Sequence, residues 1–213
     1  MEILAGFSVG LSETLVGYPF LTAKVLAQNQ RPWWGHSFRR YYQGVKYPLV
    51  SSLAFNTLVF PCKEYLYPYT QNYALSGALT GVIVAPPMWV IDTFTIRRQT
   101  NQRVFLSMFR GARGFGMTVA RESVALSVYF SSYHWMRQDW GSLVSGGAAG
   151  LANWTLSFPL DTIRTRQIAQ RCTIAQALNQ KNLWRGFPIA AARAVVVNAA
   201  SFTVYEKSMS ILT

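Results

Sequence analysis

Two short stretches hold residue types that could do chemistry. In "SFPLDTIRTRQ", residues 157–167, Pro159 is followed two positions on by Asp161, and Arg164 stands one helical turn beyond that acid. In "TVARESVALSVYF", residues 118–130, Arg121 and Glu122 are neighbours inside a largely apolar run. Both stretches carry ionisable groups into surroundings that would withdraw them from water, and such groups are functional candidates by default. The chemistry open to them is pairing and recognition. A guanidinium takes a carboxylate through two parallel N–H bonds, and a carboxylate takes an ammonium. Covalent catalysis is not expected, because the chain has no Ser/His/Asp constellation, phosphate-cradling glycine loop or metal-ligand spacing. His36 and His134 stand apart, and Cys62 and Cys172 are lone cysteines, so neither a zinc site nor a disulfide framework is expected. The reading is of a protein that is not an enzyme and needs no cofactor or metal.

The elements that position these charges follow from where charge is missing. Of 213 residues 51% are hydrophobic and only 13% charged, about half the usual share of a soluble domain. Bases outnumber acids 20 to 8, a formal charge of +12. Three windows, 24–46, 97–113 and 164–185, each hold five bases and no acid, and long apolar segments separate them. A nucleic-acid-binding face would not alternate with apolar stretches of membrane length. The pattern instead reads as membrane helices joined by basic loops, with no nucleic-acid partner. "MEILAGFSVG" has no basic stretch before its apolar run and reads as the start of the first helix.

The chain repeats itself. Gly6/Gly10, Gly77/Gly81 and Gly146/Gly150 form three GxxxG pairs, and thirteen residues after the first glycine of each stand Pro19, Val90 and Pro159. Then come "YYQG", "GARG" and "LWRG", ending at Gly44, Gly114 and Gly186. Successive copies lie 69 to 72 residues apart. Three units follow, 1–71, 72–139 and 140–213, together making one transmembrane domain. Each has a long apolar segment, a short basic loop and a second apolar segment. The expected fold is an all-α membrane protein with six transmembrane helices at roughly 2–29, 46–68, 72–99, 115–137, 140–168 and 187–212, each long enough to cross an apolar core of about 30 Å. GxxxG would let helices approach closely. Pro19 and Pro159 are expected to kink their helices, which neighbouring groups in a membrane protein tolerate. All loops would then lie on one side and both termini on the other.

"PLDTIR" at 159–164 resembles the PxD/ExxK/R signature of the mitochondrial carrier family, and the three-unit plan is similar to that family over the whole chain. The units are shorter than the family's, so the matrix loops are shortened. The resemblance implies a multi-pass protein of the mitochondrial inner membrane, monomeric, in contact with membrane lipids such as cardiolipin. It also implies that the signature acid of one unit pairs with the signature base of the next, closing a gate on the matrix side. The corresponding positions are Leu21 and Lys24, Asp92 and Thr95, and Asp161 and Arg164. Asp92 would then meet Arg164 and Asp161 would meet Lys24. Leu21 and Thr95 would vacate both ends of the third link, so that no buried charge is left alone; deleting one partner of a buried pair costs about 3–5 kcal/mol, whereas deleting both can be neutral. The family's outer gate, aromatic–acid–x–x–base, survives only in part. Tyr133 and Arg137 flank His134, Tyr205 and Glu206 lead to Met209, and Glu64 stands without its base, which implies a low outer barrier.

The same resemblance places substrate contacts seven residues after each repeated glycine, at Ser51, Arg121 and Arg193, with Glu122 beside the second and Asn198 lining the same cavity. Asn56 stands in the same register as Asn198, and either could instead hydrogen-bond between helices. Trp33, Trp34, Trp89 and Trp140 most simply mark interfaces and packing. An Arg–acid pair is similar to the carnitine/acylcarnitine, ornithine and basic-amino-acid branch. The implied activity is alternating-access transport of a small metabolite, a basic amino acid or a carnitine-like zwitterion. The alternatives are a carrier for another metabolite, such as a nucleotide, and a carrier-derived receptor or scaffold that no longer transports.

Overall fold

The computed structural model describes residues 2–102, 111–194, 196 and 197, and within 2–13, 49–54, 56–57 and 142–143 it describes the backbone alone. Among the described residues every regular element is helical. The order is α1 (Glu2–Gln28), α2 (Phe38–Tyr41), α3 (Lys46–Thr70), α4 (Tyr73–Gln99), α5 (Phe115–Gln170) and α6 (Ile174–Asn179). A further helical stretch occupies 187–194 and continues at 196–197. α5 is two helical arms meeting at Gly141, whose φ of 71° and ψ of 170° only glycine adopts without strain. α3 ends on Gln71 in the left-handed region, and the Asn72 side chain accepts the N–H groups of Ala74 and Leu75, so α4 starts at once.

The repeated glycines share one backbone conformation. Gly44, Gly114 and Gly186 have φ of 88°, 83° and 95°, and the residues just past the long helices, Gln30, Asn101 and Arg171, have φ of 58°, 57° and 55°. Each of these glycines also lies close to a different unit: a Cβ there would meet Arg98 at 3.0 Å, Ile168 at 2.8 Å and the Lys24 carbonyl at 3.2 Å, respectively. The GxxxG pairs behave unequally. A Cβ on Gly81 would stand 2.5 Å from Ser123 Cα, and one on Gly77 2.6 Å from the Leu126 carbonyl, so α4 packs backbone-to-backbone on the first arm of α5. Gly146 and Gly150, expected to do the same, meet no described atom within 4 Å, and the side chains around Gly6 and Gly10 lie outside the described residues. The loops also differ from expectation, since α2 and α6 are short helices within the basic connections of the first and third units. α6 starts on a capping box formed by Thr173 and Gln176.

Polarity is distributed inside out. Thr22, Gln28, Glu122, Asp161, Thr162, Thr165 and Arg166 are almost wholly buried, while Ile83, Leu151 and Leu156 are half exposed or more. A buried polar interior under an apolar exterior is the informative deviation from the soluble pattern. α4 has a mean hydropathy of 1.7 in its best window and is the one helix among the described residues long and apolar enough by composition to cross a membrane. α5 carries most of the buried charges, which lower its hydropathy. Pro19 and Pro159 lie inside α1 and α5, and α4, which has Val90 at that position, holds Pro86 and Pro87 one turn earlier.

Candidate functional site

Where α1, α4 and both arms of α5 converge, six charged side chains form a buried cluster. Lys24 Nζ lies 2.6 Å from Asp161 Oδ2. Arg164 donates from Nη1 to Asp92 Oδ2 at 2.7 Å and from Nη2 to Asp161 Oδ1 at 3.1 Å. Its Nη1 also stands 3.6 Å from Glu122 Oε1, which Arg121 Nη1 engages from the other side. Three bases therefore face three acids, and the Lys24, Asp161, Arg164 and Glu122 side chains are each less than a tenth exposed. Removing ions from water costs several kcal/mol apiece, so such a cluster persists only because every charge has an opposite neighbour. Gln28 Nε2 adds hydrogen bonds to Asp161 Oδ2 at 2.9 Å and to Thr162 Oγ1 at 3.2 Å. The indole of Trp154 faces Lys24 at 4.7 Å and Arg121 at 5.9 Å, a cation–π contact with both.

Below this cluster, at the loop end, arginines reach from one helix end to the next. Arg31 Nη1 donates to the Thr100 carbonyl at 2.7 Å, Arg97 Nη1 to the Ile168 carbonyl at 3.5 Å and Arg166 Nε to the Gln28 carbonyl at 2.9 Å. The three contacts close a ring: the end of α1 holds the end of α4, α4 holds the second arm of α5, and that arm holds α1. Helix C-termini leave carbonyls unpaired and carry a partial negative charge, which these guanidiniums satisfy. Arg166 is completely buried and also donates to the carbonyls of Ala177, Lys181 and Asn182, fastening α6 beneath α1. Nearby, burial pushes the Cys172 thiol above its usual range, which keeps it protonated and slow to react.

The family model described as "Mitochondrial carrier protein" matches residues 137–213. Three relatives align with nearly the whole chain: the mitochondrial arginine transporter BAC2 of Arabidopsis thaliana, 28% identical over 99% of this chain and 91% of its own length; the mitochondrial ornithine transporter 1 of Saccharomyces cerevisiae, 24% over 97% and 94%; and the mitochondrial basic amino acids transporter of Bos taurus, 26% over 99% and 91%. The chain is therefore similar to mitochondrial carriers along nearly its whole length, and to the family model over its last third. The alignment with the Arabidopsis relative runs over 271 residues, so that relative has segments this 213-residue chain lacks.

The sequence-predicted site residues fall into two groups. Lys24, Asp92, Asp161, Arg164, Arg121 and Glu122 come together in one network. The resemblance suggested a gate and a binding site as separate sets, whereas Glu122 joins them through Arg164. Leu21 lines a small pocket with Lys24, Trp154 and Arg193, and Thr95 turns its hydroxyl onto the Ile91 carbonyl of its own helix, so neither carries charge into the cluster. Ser51 and Asn56 lie on α3 with only their backbone described, and Asn198 lies outside the described residues. Sequence reasoning missed Gln28, Trp154 and the arginine ring. A signal for the ring existed: Arg97 and Arg166 each stand seven residues after the proline position, and only the first unit breaks register, with Leu26 there and Arg31 taking over.

Proposed function

We propose that this protein is a mitochondrial carrier that moves a basic amino acid, or a closely similar zwitterion, across the inner membrane by alternating access. The relatives whose names specify arginine, ornithine and basic amino acids support that solute class, and the polar interior under an apolar surface supports a membrane-spanning bundle. In this reading the three units 1–71, 72–139 and 140–213 contribute two spanning helices each, with shortened loops on the matrix side. Recurrence of the same backbone conformation at Gly44, Gly114 and Gly186 favours that division. Lys24–Asp161 and Arg164–Asp92 form the matrix gate, with Leu21 and Thr95 the uncharged third link, and Pro19 and Pro159 bend the helices that carry it.

The observation that carries the mechanism is that Arg121 and Arg164 share Glu122. A solute carboxylate drawn to Arg121 and Arg193, with Ser51 and Asn198 beside them, brings its cationic group to Glu122. That cation competes with both arginines for the same carboxylate, whose Oε1 both engage. Arg164 then loses one of its three acidic neighbours, and the gate weakens as the solute binds. A ligand shifts a conformational equilibrium only by interacting better with one state than the other, and here the better state is the one in which Glu122 has left Arg164.

Purified carrier reconstituted in vesicles loaded with arginine is expected to exchange labelled arginine or ornithine, with carnitine and glutamate as comparators. Glu122→Gln should abolish movement of the cationic solutes. No solute crossing faster than in protein-free vesicles would refute the reading.

A further inference from the structure

The far end of the bundle, away from the basic loops, holds a cavity of about 420 Å³ that the central cluster does not account for. It opens between α3, α4 and both arms of α5. Phe60, Tyr129, Phe130 and Tyr133 provide aromatic walls, and Gly146 leaves one side without a side chain. The volume falls within the range of about 300–1,000 Å³ typical of small-molecule sites. Its charged lining is Lys63, Glu64 and Arg137, with His134 beside them.

These groups are unequally satisfied. Lys63 Nζ pairs with Glu64 Oε1 at 2.8 Å and sits over the rings of Tyr67, Tyr73 and Phe130 at 5.3 to 5.8 Å. The one acid and one of the bases therefore neutralise each other. His134 is stacked on Tyr73 with ring centroids 3.9 Å apart, which fixes the imidazole at the rim. The guanidinium of Arg137 lies 5.7 Å from the ring of Tyr133, and among the described residues no carboxylate pairs with it. What remains is a planar, held guanidinium and an imidazole at the edge of an aromatic slot. That combination suits a carboxylate at one end and an apolar body at the other. Arg137 is sixteen residues beyond Arg121 on the same arm of α5, which places it about 24 Å away along the helix axis.

We propose that this vestibule is a second binding station, separate from the central cluster, for a monocarboxylate with an apolar or aromatic body. Arg137 holds the carboxylate with His134 alongside, and Tyr129 and Tyr133 face the body. The site does not depend on which solute the centre moves.

The test is equilibrium dialysis of the purified full chain in detergent against 3-phenylpropionate, which has the carboxylate and ring but no cationic group for Glu122. Wild type is expected to bind, and Arg137→Gln to bind about tenfold more weakly, as loss of a charge-assisted hydrogen bond predicts. Arg137→Lys should fall between them, keeping the charge without the fork. Tyr133→Leu should weaken binding while leaving the preference for 3-phenylpropionate over its neutral amide. Unchanged binding in Arg137→Gln, or equal binding of 3-phenylpropanamide, overturns the proposal. Because Arg137 is exposed, its substitution does not threaten folding, and the thermal midpoint of the variant checks this. Loss of arginine exchange in vesicles with 3-phenylpropionate binding intact counts against the transport reading alone; the converse counts against the vestibule alone.

Discussion

The two ends of the helical bundle solve the same problem with different materials. At the loop end, α1, α4 and α5 are joined by Lys24, Asp92, Asp161, Arg164 and Glu122, nearly all withdrawn from solvent. At the far end, α3, α4 and α5 meet through rings: Tyr67 on Tyr73 at 4.3 Å, Tyr73 on His134 at 3.9 Å, and Lys63 over three of the aromatics. The few ion pairs suggested by the sequence at this far end are thus only part of its chemistry. Tyr205, Glu206 and Met209, which would complete the outer pattern, lie outside the described residues. Buried ions gain their strength from mutual neutralisation, so losing one partner is costly. Cation–π and ring contacts are individually small, and Lys63 has the exposed Glu64 as its partner, so they can be exchanged without leaving a bare buried charge. The difference fits the proposed mechanism, in which one end holds firmly until a competing ion arrives and the other rearranges at little cost.

The comparison breaks most directly at Arg164. Arg164→Leu leaves Asp92, Asp161 and Glu122 short of a partner, and thermal unfolding in detergent should show a loss of about 3–5 kcal/mol or failure to fold. A near-neutral result would mean that water reaches the acids. Charge reversal sharpens the point: Asp161→Lys should stop exchange in vesicles, and adding Lys24→Asp should restore it in part. Restoration is incomplete because the new lysine still faces Arg164. Equal activity of the single and double reversals would remove the pairing from the mechanism. Next in size is Arg166→Met, which keeps the apolar stem but strips donors from four carbonyls. It should cost about 2 kcal/mol or more and expose α6 to proteolysis. The smallest effect is expected at the far end, where Lys63→Met should cost no more than about 1 kcal/mol in the same unfolding measurement. A loss as large as that of Arg164→Leu would erase the contrast between the two ends.

Much of the protein's plan is legible in its sequence because repetition is visible there. The spacing of Gly44, Gly114 and Gly186 located the loop-to-helix junctions, since a φ near 90° with a neighbouring segment packed against the Cα favours glycine in every copy. The Pro159–Asp161–Arg164 stretch pointed to buried pairing because charge is rare in apolar surroundings. The break at Gly141 was legible only as a boundary between segments. That Gly77 and Gly81 admit a neighbouring backbone while Gly146 and Gly150 meet no described atom could not be read, because all three motifs look alike along the chain. Arg31, five residues out of register, escaped the repeat altogether.

By itself, then, the sequence determined an all-helical, basic-looped chain with its few charges placed inside apolar segments, because composition and period are local properties. Only the tertiary structure decided that Glu122 touches Arg164, that Gln28 supports Asp161, and that three arginines close a ring across helix ends. Those contacts join residues from about 40 to about 140 positions apart, and a hydrogen bond over that separation depends on how the helices lie against one another, which no local pattern encodes.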